Sequence, residues 1–380
     1  MQRNESRREF LKGTLSTCAA VATPTLLIGC GGGEPSAEPS LEHKIAQMLI
    51  VGFRGTRIAA SDPIVRDIAD YGIGGTILFD RDLALAQFGR NITSPQQLTE
   101  LTGQLRSWAK APLFIAVDQE GGKVARLKES YGFLATVTAQ SLGTLNDLDV
   151  TRAYASSMAA TLADNGLNMN FCPVVDLNVN PLSPAIGKLE RSFSADPVTV
   201  QNHSRVMIEA HDQRRIATCI KHFPGHGSAT GDSHAGITDV TATWSEIELE
   251  PYRALIAQGR CRMVMTAHIF NRRIDPQYPS TLSYPTITGI LRQHLGYDGV
   301  VVTDDMQMGA IIAEYSFETA VEKAIMAGID IIMFANNLAY DPDIAPKVIA
   351  LVSRLVAAGS IPVERIHASY RRIMALKRSL

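Results

Sequence analysis

The sequence predicts an α/β protein built as a (β/α)8 TIM barrel with a single catalytic domain. Three observations lead there: short apolar runs alternate with amphipathic helical patterns from Leu41 onward, the runs number eight, and no section is rich in strands alone. Several runs are apolar at nearly every position, the pattern of strands covered on both faces, as in a parallel sheet. An open doubly wound sheet is the alternative that the same alternation permits.

The chain begins with a segment outside that scheme. Residues 6–12 (SRREFLK) are basic at their start, residues 13–28 are mildly apolar, and LIGC (27–30) is followed by three glycines. A basic start, a short apolar run and small residues before a break mark a secretory signal, and the run is too short and too rich in Ser and Thr to span a bilayer. Arg7-Arg8 ahead of Phe10-Leu11-Lys12 resembles a twin-arginine export signal, and Leu27-Ile28-Gly29-Cys30 resembles a bacterial lipobox. The likeness implies cleavage before Cys30, a lipid on its thiol, and a bacterial membrane held through that lipid, facing the periplasm or cell exterior. The plain alternative is a hydrophobic tail with a chance cysteine. Residues 1–30 are therefore expected to be a signal peptide, 31–40 (GGGEPSAEPS) a flexible linker, and 41–380 the catalytic domain.

Within that domain the strand candidates are residues 48–53, 75–79, 113–117, 170–175, 217–221, 263–267, 300–303 and 329–334. Helices begin where the physics of caps allows: Ser94-Pro95 sets a cap before a first-turn proline ahead of Leu98, Leu101, Leu105 and Trp108, and Asp196-Pro197 repeats the device. In a barrel of this kind the useful positions are the carboxyl ends of the strands. Asp118 follows FIAV, Asp176 follows PVV, Lys221-His222 follow ATCI, His268 follows VMTA, and Asp304-Asp305 follow VVVT. A lone Asp after a strand is ordinarily a helix cap, but five strands ending this way argue for one concave site.

Composition narrows the class. With 46% hydrophobic and 19% charged residues the chain is an ordinary globular one. Removal of the first thirty residues takes the formal net charge from −2 to −4, so no nucleic acid partner is expected. The three cysteines of the domain, Cys172, Cys219 and Cys261, are odd in number and lack CxxC spacing, so neither a disulfide framework nor a zinc site is expected. No cofactor and no metal are expected, and the chain is expected to act as a monomer.

The most informative stretch is residues 221–239, KHFPGHGSATGDSHAGITD. Its four glycines and one proline predict a long loop on the active face. Asp232 and His234 stand two apart, close enough for the carboxylate to orient the imidazole and raise its proton affinity. A structural turn holding a histidine is the competing meaning of that tripeptide. Asp304 on the seventh strand tilts the balance, because a positioned carboxylate nucleophile with a proton donor is what retaining glycosidic cleavage requires, here with His as the second group. Asp305 is expected to point away from the barrel axis if Asp304 points in.

The segments VDQEGGKVARL (117–127), ERSFSADP (190–197), KHFPGHG with DSH (221–234) and VVTDDMQMGA (301–310) resemble the N-acetyl-β-glucosaminidase (β-N-acetylhexosaminidase) branch of glycoside hydrolase family 3. The resemblance runs from about Leu41 to the C-terminus. It implies a (β/α)8 barrel, Asp304 as nucleophile, His234 as acid/base and Asp232 as its partner on a mobile loop. It also implies that Asp118, Arg126, Arg191, Lys221 and His222 bind the hydroxyls and N-acetyl group of a terminal sugar, with no metal needed. Arg191 has a second meaning as a surface residue capping the helix that Asp196-Pro197 begins. Glu120, Asp176, His226 and His268 are expected to line or back the site. The expected reaction is release of terminal N-acetyl-β-glucosamine from peptidoglycan- or chitin-derived glycans. Alternatives left open are a β-glucosidase or a phosphorolytic variant on the same barrel, an exported metal-dependent hydrolase using His222, His226, Asp232, His234 and Asp304, and a non-catalytic sugar-binding lipoprotein.

Overall fold

The computed structural model describes residues 38–233 and 236–380, of which Pro39 to Leu380 form one compact unit. The expected signal peptide with Cys30, the linker up to residue 37, and His234 lie outside the described residues. Among the described residues, eight parallel strands build one sheet: β1 Leu49–Gly52, β2 Gly75–Ile77, β3 Phe114–Val117, β4 Met169–Asn170, β5 Ala217–Phe223, β6 Met263–Thr266, β7 Val300–Thr303 and β8 Ile332–Phe334. They lie in the order β7-β6-β5-β4-β3-β2-β1-β8, and a parallel bridge between Val302 and Ile331 joins the two ends. The sheet thus closes into the expected TIM barrel rather than an open doubly wound sheet.

Each strand is followed by a helical segment. These are Pro63–Arg66 continuing through Asp67–Tyr71, Pro95–Trp108, Leu148–Asp164, Pro197–Asp212, Glu250–Ala257, Pro285–His294, Phe317–Ala327 and Ile344–Ala357. The caps form as the sequence requires: Ser94 accepts from the Gln97 amide at 3.2 Å and Asp196 from the Thr199 amide at 2.9 Å. Leu98, Leu101 and Leu105 are completely buried, each contributing roughly 1.5–3 kcal/mol by burial. Trp108, the last member of that stripe and the last residue of the helix, stays 38% exposed.

Only Val300–Thr303 keeps its expected limits, and three of the other strands depart from theirs for an identifiable local reason. In the 170–175 run only Asn170 joins the ladder with Met169, since Pro173 has no amide proton and Val174 bridges Lys221 alone. In the 329–334 run the side chain of Asp330 takes the Val301 amide at 3.0 Å, displacing the regular ladder at that end of the β7–β8 seam. β5 runs two residues further than expected, so Lys221 and His222 lie within the strand and not at the start of a loop. A strand can carry a buried lysine here because two carboxylates meet its ammonium. Beyond Phe223 the chain leaves the sheet, and Thr238–Asp239 pairs in parallel with Ile269–Phe270.

Candidate active site

The carboxyl ends of β3, β4 and β5 converge on one buried ionic network. From β5, the Lys221 ammonium donates to Asp118 Oδ1 at 2.7 Å and lies 2.8 Å from Glu120 Oε1. Arg191, on the long connection after β4, closes a two-pronged pair with Glu120 at 2.8 and 2.7 Å. Burial opposes the charge on Glu120, yet the Arg191 and Lys221 cations outweigh it and hold the carboxyl far below its ordinary range. Burial likewise opposes the charge on Lys221, and Asp118 and Glu120 overcome it, raising its proton affinity. Arg126 stands over the Phe79 ring with its guanidinium 3.7 Å from Asp118. Three cations around two carboxylates leave an excess of donors, suited to a neutral ligand rich in oxygen.

Behind this layer sits Asp176, completely buried. It accepts from the His222 amide, from the His226 amide at 2.7 Å and from His222 Nδ1 at 2.7 Å. Burial opposes its ionisation, but the two histidine segments favour it, and its pKa falls. With Nδ1–H given to Asp176, the network assigns His222 Nε2 as acceptor of Arg191 Nη2 at 3.1 Å. His222 therefore backs Arg191 and relays the orientation that Asp176 imposes. Arg191 itself is an interior member of the cluster, 10% exposed at its side chain, and does not cap a helix.

The glycine-rich loop is pinned along its first half. Glu248 accepts the amides of Gly227 at 3.1 Å and Ser228 at 3.3 Å, and Trp244 Nε1 donates to the Pro224 carbonyl at 3.1 Å. Gly227 is required by contact: a Cβ there would run into the Leu177 carbonyl. Burial raises the Glu248 carboxyl to about 7 and pushes the His226 imidazole down to about 4. His226 Nε2 meets the Ser233 hydroxyl at 3.3 Å, and the Ser233 carbonyl accepts the Ala310 amide at 3.3 Å. Ser233, next to the half-buried Asp232, is thereby tied to the segment that continues from β7.

That segment carries Asp304. A cavity of about 340 Å³ brings Asp304 from the end of β7 together with Asp118 and Arg126 from the end of β3. Asp304 Oδ1 accepts the Asp305 amide at 2.8 Å. Asp305 also borders the cavity, but its Oδ1 accepts the amides of Gln307 at 3.1 Å and Ala335 at 3.0 Å, which makes it a clamp between β7 and β8. His268 spans Thr281 Oγ1 at 2.8 Å and the Asp305 carbonyl at 2.9 Å.

Asp118, Arg126, Arg191, Lys221 and His222 therefore form one connected set with Glu120 and Asp176, and Asp304 shares a cavity with two of them. Sequence reasoning left Glu120 and Asp176 without roles and passed over Glu248. The first two were visible as acidic residues after strands. Glu248 lies in SEIELEP, whose acidic start reads as any first helical turn, so no sequence signal marks it.

Comparison with known proteins agrees with this picture. Residues 40–376 match the family described as "Glycosyl hydrolase family 3 N terminal domain". The beta-hexosaminidase A of Pseudoalteromonas piscicida is 32% identical over 338 residues, which are 82% of this chain and 54% of that protein. The beta-hexosaminidase of Alkalilimnicola ehrlichii is 34% identical over 310 residues, covering 79% of this chain and 83% of that one. Among solved structures, a glycoside hydrolase family 3 beta-N-acetylglucosaminidase from Paenibacillus superposes with a TM-score of 0.81 at 33% identity, over 90% of this chain and 63% of that one. Beta-N-acetylhexosaminidase from Beutenbergia cavernae does so at 0.80 and 29%, over 90% of this chain and 99% of that one. The chain thus spans about half the length of the first of these relatives and nearly all of the last.

Proposed function

The chain belongs to glycosyl hydrolase family 3, and from that premise we propose that it is a retaining exo-glycosidase releasing terminal N-acetyl-β-glucosamine (hexosamine) residues from peptidoglycan- or chitin-derived glycans. The observation that carries the reading is the cavity in which Asp304 faces the Asp118 and Arg126 end of a buried, donor-rich cluster. Asp118, Lys221, Arg191 and Arg126 hold the hydroxyls and the N-acetyl group, with His222 fixing Arg191. Asp304 attacks the anomeric carbon while protonated His234 gives its proton to the leaving oxygen. The neutral imidazole then takes a proton from water as that water cleaves the glycosyl-aspartate ester. Asp232 orients His234 and favours its charged form in the first step.

One experiment tests class, substrate, acceptor and stereochemistry together: hydrolysis of an aryl N-acetyl-β-glucosaminide beside an aryl β-glucoside, with and without phosphate, following the anomer first formed. Release of the β-anomer of N-acetylglucosamine in phosphate-free buffer is the expected result. Inverted product, strict dependence on phosphate, or preference for the glucoside would overturn it, and activity lost on exhaustive chelation would favour a metal-dependent hydrolase.

We further propose export as a lipoprotein held in the membrane through lipidated Cys30 and acting as a monomer. Support comes from residues 7–12 and 27–30 of the sequence. Expression of Cys30→Ala in a bacterial host should move the protein from the membrane pellet to a soluble fraction. An unchanged distribution sinks the anchor.

A further inference from the structure

The cavity that holds Asp304 is lined by two chemically different groups of residues. One includes Asp118 and Arg126, members of the ionic cluster. The other includes Leu83, Phe88 and Leu338. Leu83 and Phe88 come from the antiparallel hairpin of Arg81–Asp82 and Gln87–Phe88 that follows β2. This hairpin holds large apolar side chains in solvent: Leu83 is 46%, Leu85 50% and Phe88 65% exposed. Apolar groups clustered and exposed at the mouth of a cleft mark a contact surface more often than chance.

The hairpin is built to keep them there. Asp82, nearly buried, is clamped by Arg90 at 2.6 Å and Arg54 at 2.7 Å and accepts the Leu85 amide at 2.9 Å. Asn337, on the connection after β8, takes the Leu83 amide on its side chain at 3.0 Å and the Ala84 amide on its carbonyl at 3.0 Å. The Phe88 ring is flanked by the Arg81 guanidinium at 5.2 Å and by Lys128 Nζ at 5.6 Å, and Lys128 is anchored on Asp80 at 2.5 Å. A buried ionic clamp that keeps a largely exposed aromatic ring on the cavity wall is a preorganised platform.

We propose that this hairpin is the subsite for the leaving group, with Phe88 as the platform on which the ring next to the scissile bond stacks. The inference rests on the glycosidase reading above. The buried ionic cluster takes the terminal sugar, so the substrate's next ring lies toward the solvent-exposed part of the lining, where a pyranose presents its C–H face to the aromatic ring. Binding energy gathered there, away from the reacting carbon, positions the anomeric centre over Asp304. Phe88 acts here as a specificity-determining residue and takes no part in proton or bond transfer.

The test compares the wild-type chain with Phe88→Ala on two donors: a β-linked N-acetylglucosamine disaccharide, which fills the subsite, and N-acetyl-β-glucosaminyl fluoride, whose leaving group is a single atom. For the disaccharide, kcat/KM should fall roughly three- to tenfold, the usual range for loss of a stacking partner. For the fluoride it should stay within twofold, which also reports that the variant is folded. Equal losses on both donors, or no loss on the disaccharide, overturn the subsite. If the wild-type chain turns over neither donor, the glycosidase reading itself has failed, whereas fluoride turnover with an unaffected disaccharide rejects only the platform.

Discussion

The two ends of the barrel both carry buried ionic clusters, and they differ in what those clusters leave over. At the amino ends of the strands, Asp330 is fully buried and surrounded by Arg292 at 2.6 Å, Arg365 at 3.2 Å, Arg372 at 3.5 Å, the Ser369 hydroxyl at 2.8 Å and the Val301 amide. Its oxygens are consumed by groups that tie the Pro285–His294 helix and the C-terminal helix Val363–Arg378 to the β7–β8 seam. A cavity of about 540 Å³ does open at that end, lined by Cys261, Arg262, Asp298, Arg371 and Arg372 among others. Two of its arginines are paired: Arg262 with Asp212 at 2.6 Å and Arg372 with Asp298 at 2.6 Å. At the carboxyl ends the Asp118, Glu120, Lys221 and Arg191 cluster reaches, through Asp118, a cavity that the carboxylate of Asp304 also lines. Neither burial of charge nor size of cavity sets the two ends apart. The difference is that the carboxyl-end cluster borders a cavity that Asp304, the reacting group of the mechanism proposed above, also borders.

The largest expected effect falls on that group. Asp304→Ala should lower kcat by on the order of 10⁴-fold, as removal of a nucleophile does, while the urea unfolding midpoint stays unchanged. Normal turnover would erase the functional distinction between the two ends. Next comes Asp330→Asn, which leaves three arginines without their carboxylate and should cost about 3–5 kcal/mol in urea unfolding. Its kcat/KM at 25 °C should equal that of the wild type, and a catalytic loss in the folded variant would show that the base of the barrel is not merely structural.

The third effect is on pH dependence. Buried His226 binds its proton near pH 4 in the fold and near 6.5 when unfolded, so its stabilising contribution is complete above pH 6.5 and drains away as pH falls toward 4. The contribution is on the order of 3 kcal/mol. Urea titrations at pH 7 and pH 4.5 should therefore show a smaller acid loss for His226→Asn than for wild type. The residual loss belongs partly to His211, which burial also lowers to about 4. Identical acid losses in variant and wild type would mean that the imidazole is not held neutral inside the fold. The smallest effect is expected from Arg126→Ala. This half-exposed residue stands 3.7 Å from Asp118, and a roughly tenfold rise in KM with kcat nearly unchanged would identify a binding contact.

The eight-unit alternation, the caps at Ser94 and Asp196, and the acidic residues after β3 and β7 were legible because each depends on neighbours a few positions away. A run such as VVVT followed by two aspartates states its own place: buried strand, then a carboxylate at the rim. The family likeness extended that legibility to Arg191 and Lys221, whose side chains meet at Glu120 across separations of 71 and about 100 residues. Their pairing was not readable from either segment alone. No local pattern distinguishes a lysine that will be buried between two carboxylates from one that ends a strand in solvent, and this is why β5 was read too short.

What the sequence by itself determined is the order of elements, the sheet's parallel character and the residue types offered at each strand end, since periodicity and capping are properties of contiguous chain. What only the tertiary structure decided is which of those polar groups neutralise each other. Asp305 became a clamp on Ala335, His222 a support for Arg191, and Asp304 a wall of the cavity. The reason is physical: ionic and hydrogen-bonded partnerships are set by distances of 3 to 4 Å between strands far apart in the chain, and a closed barrel is what brings β3, β5 and β7 around one axis.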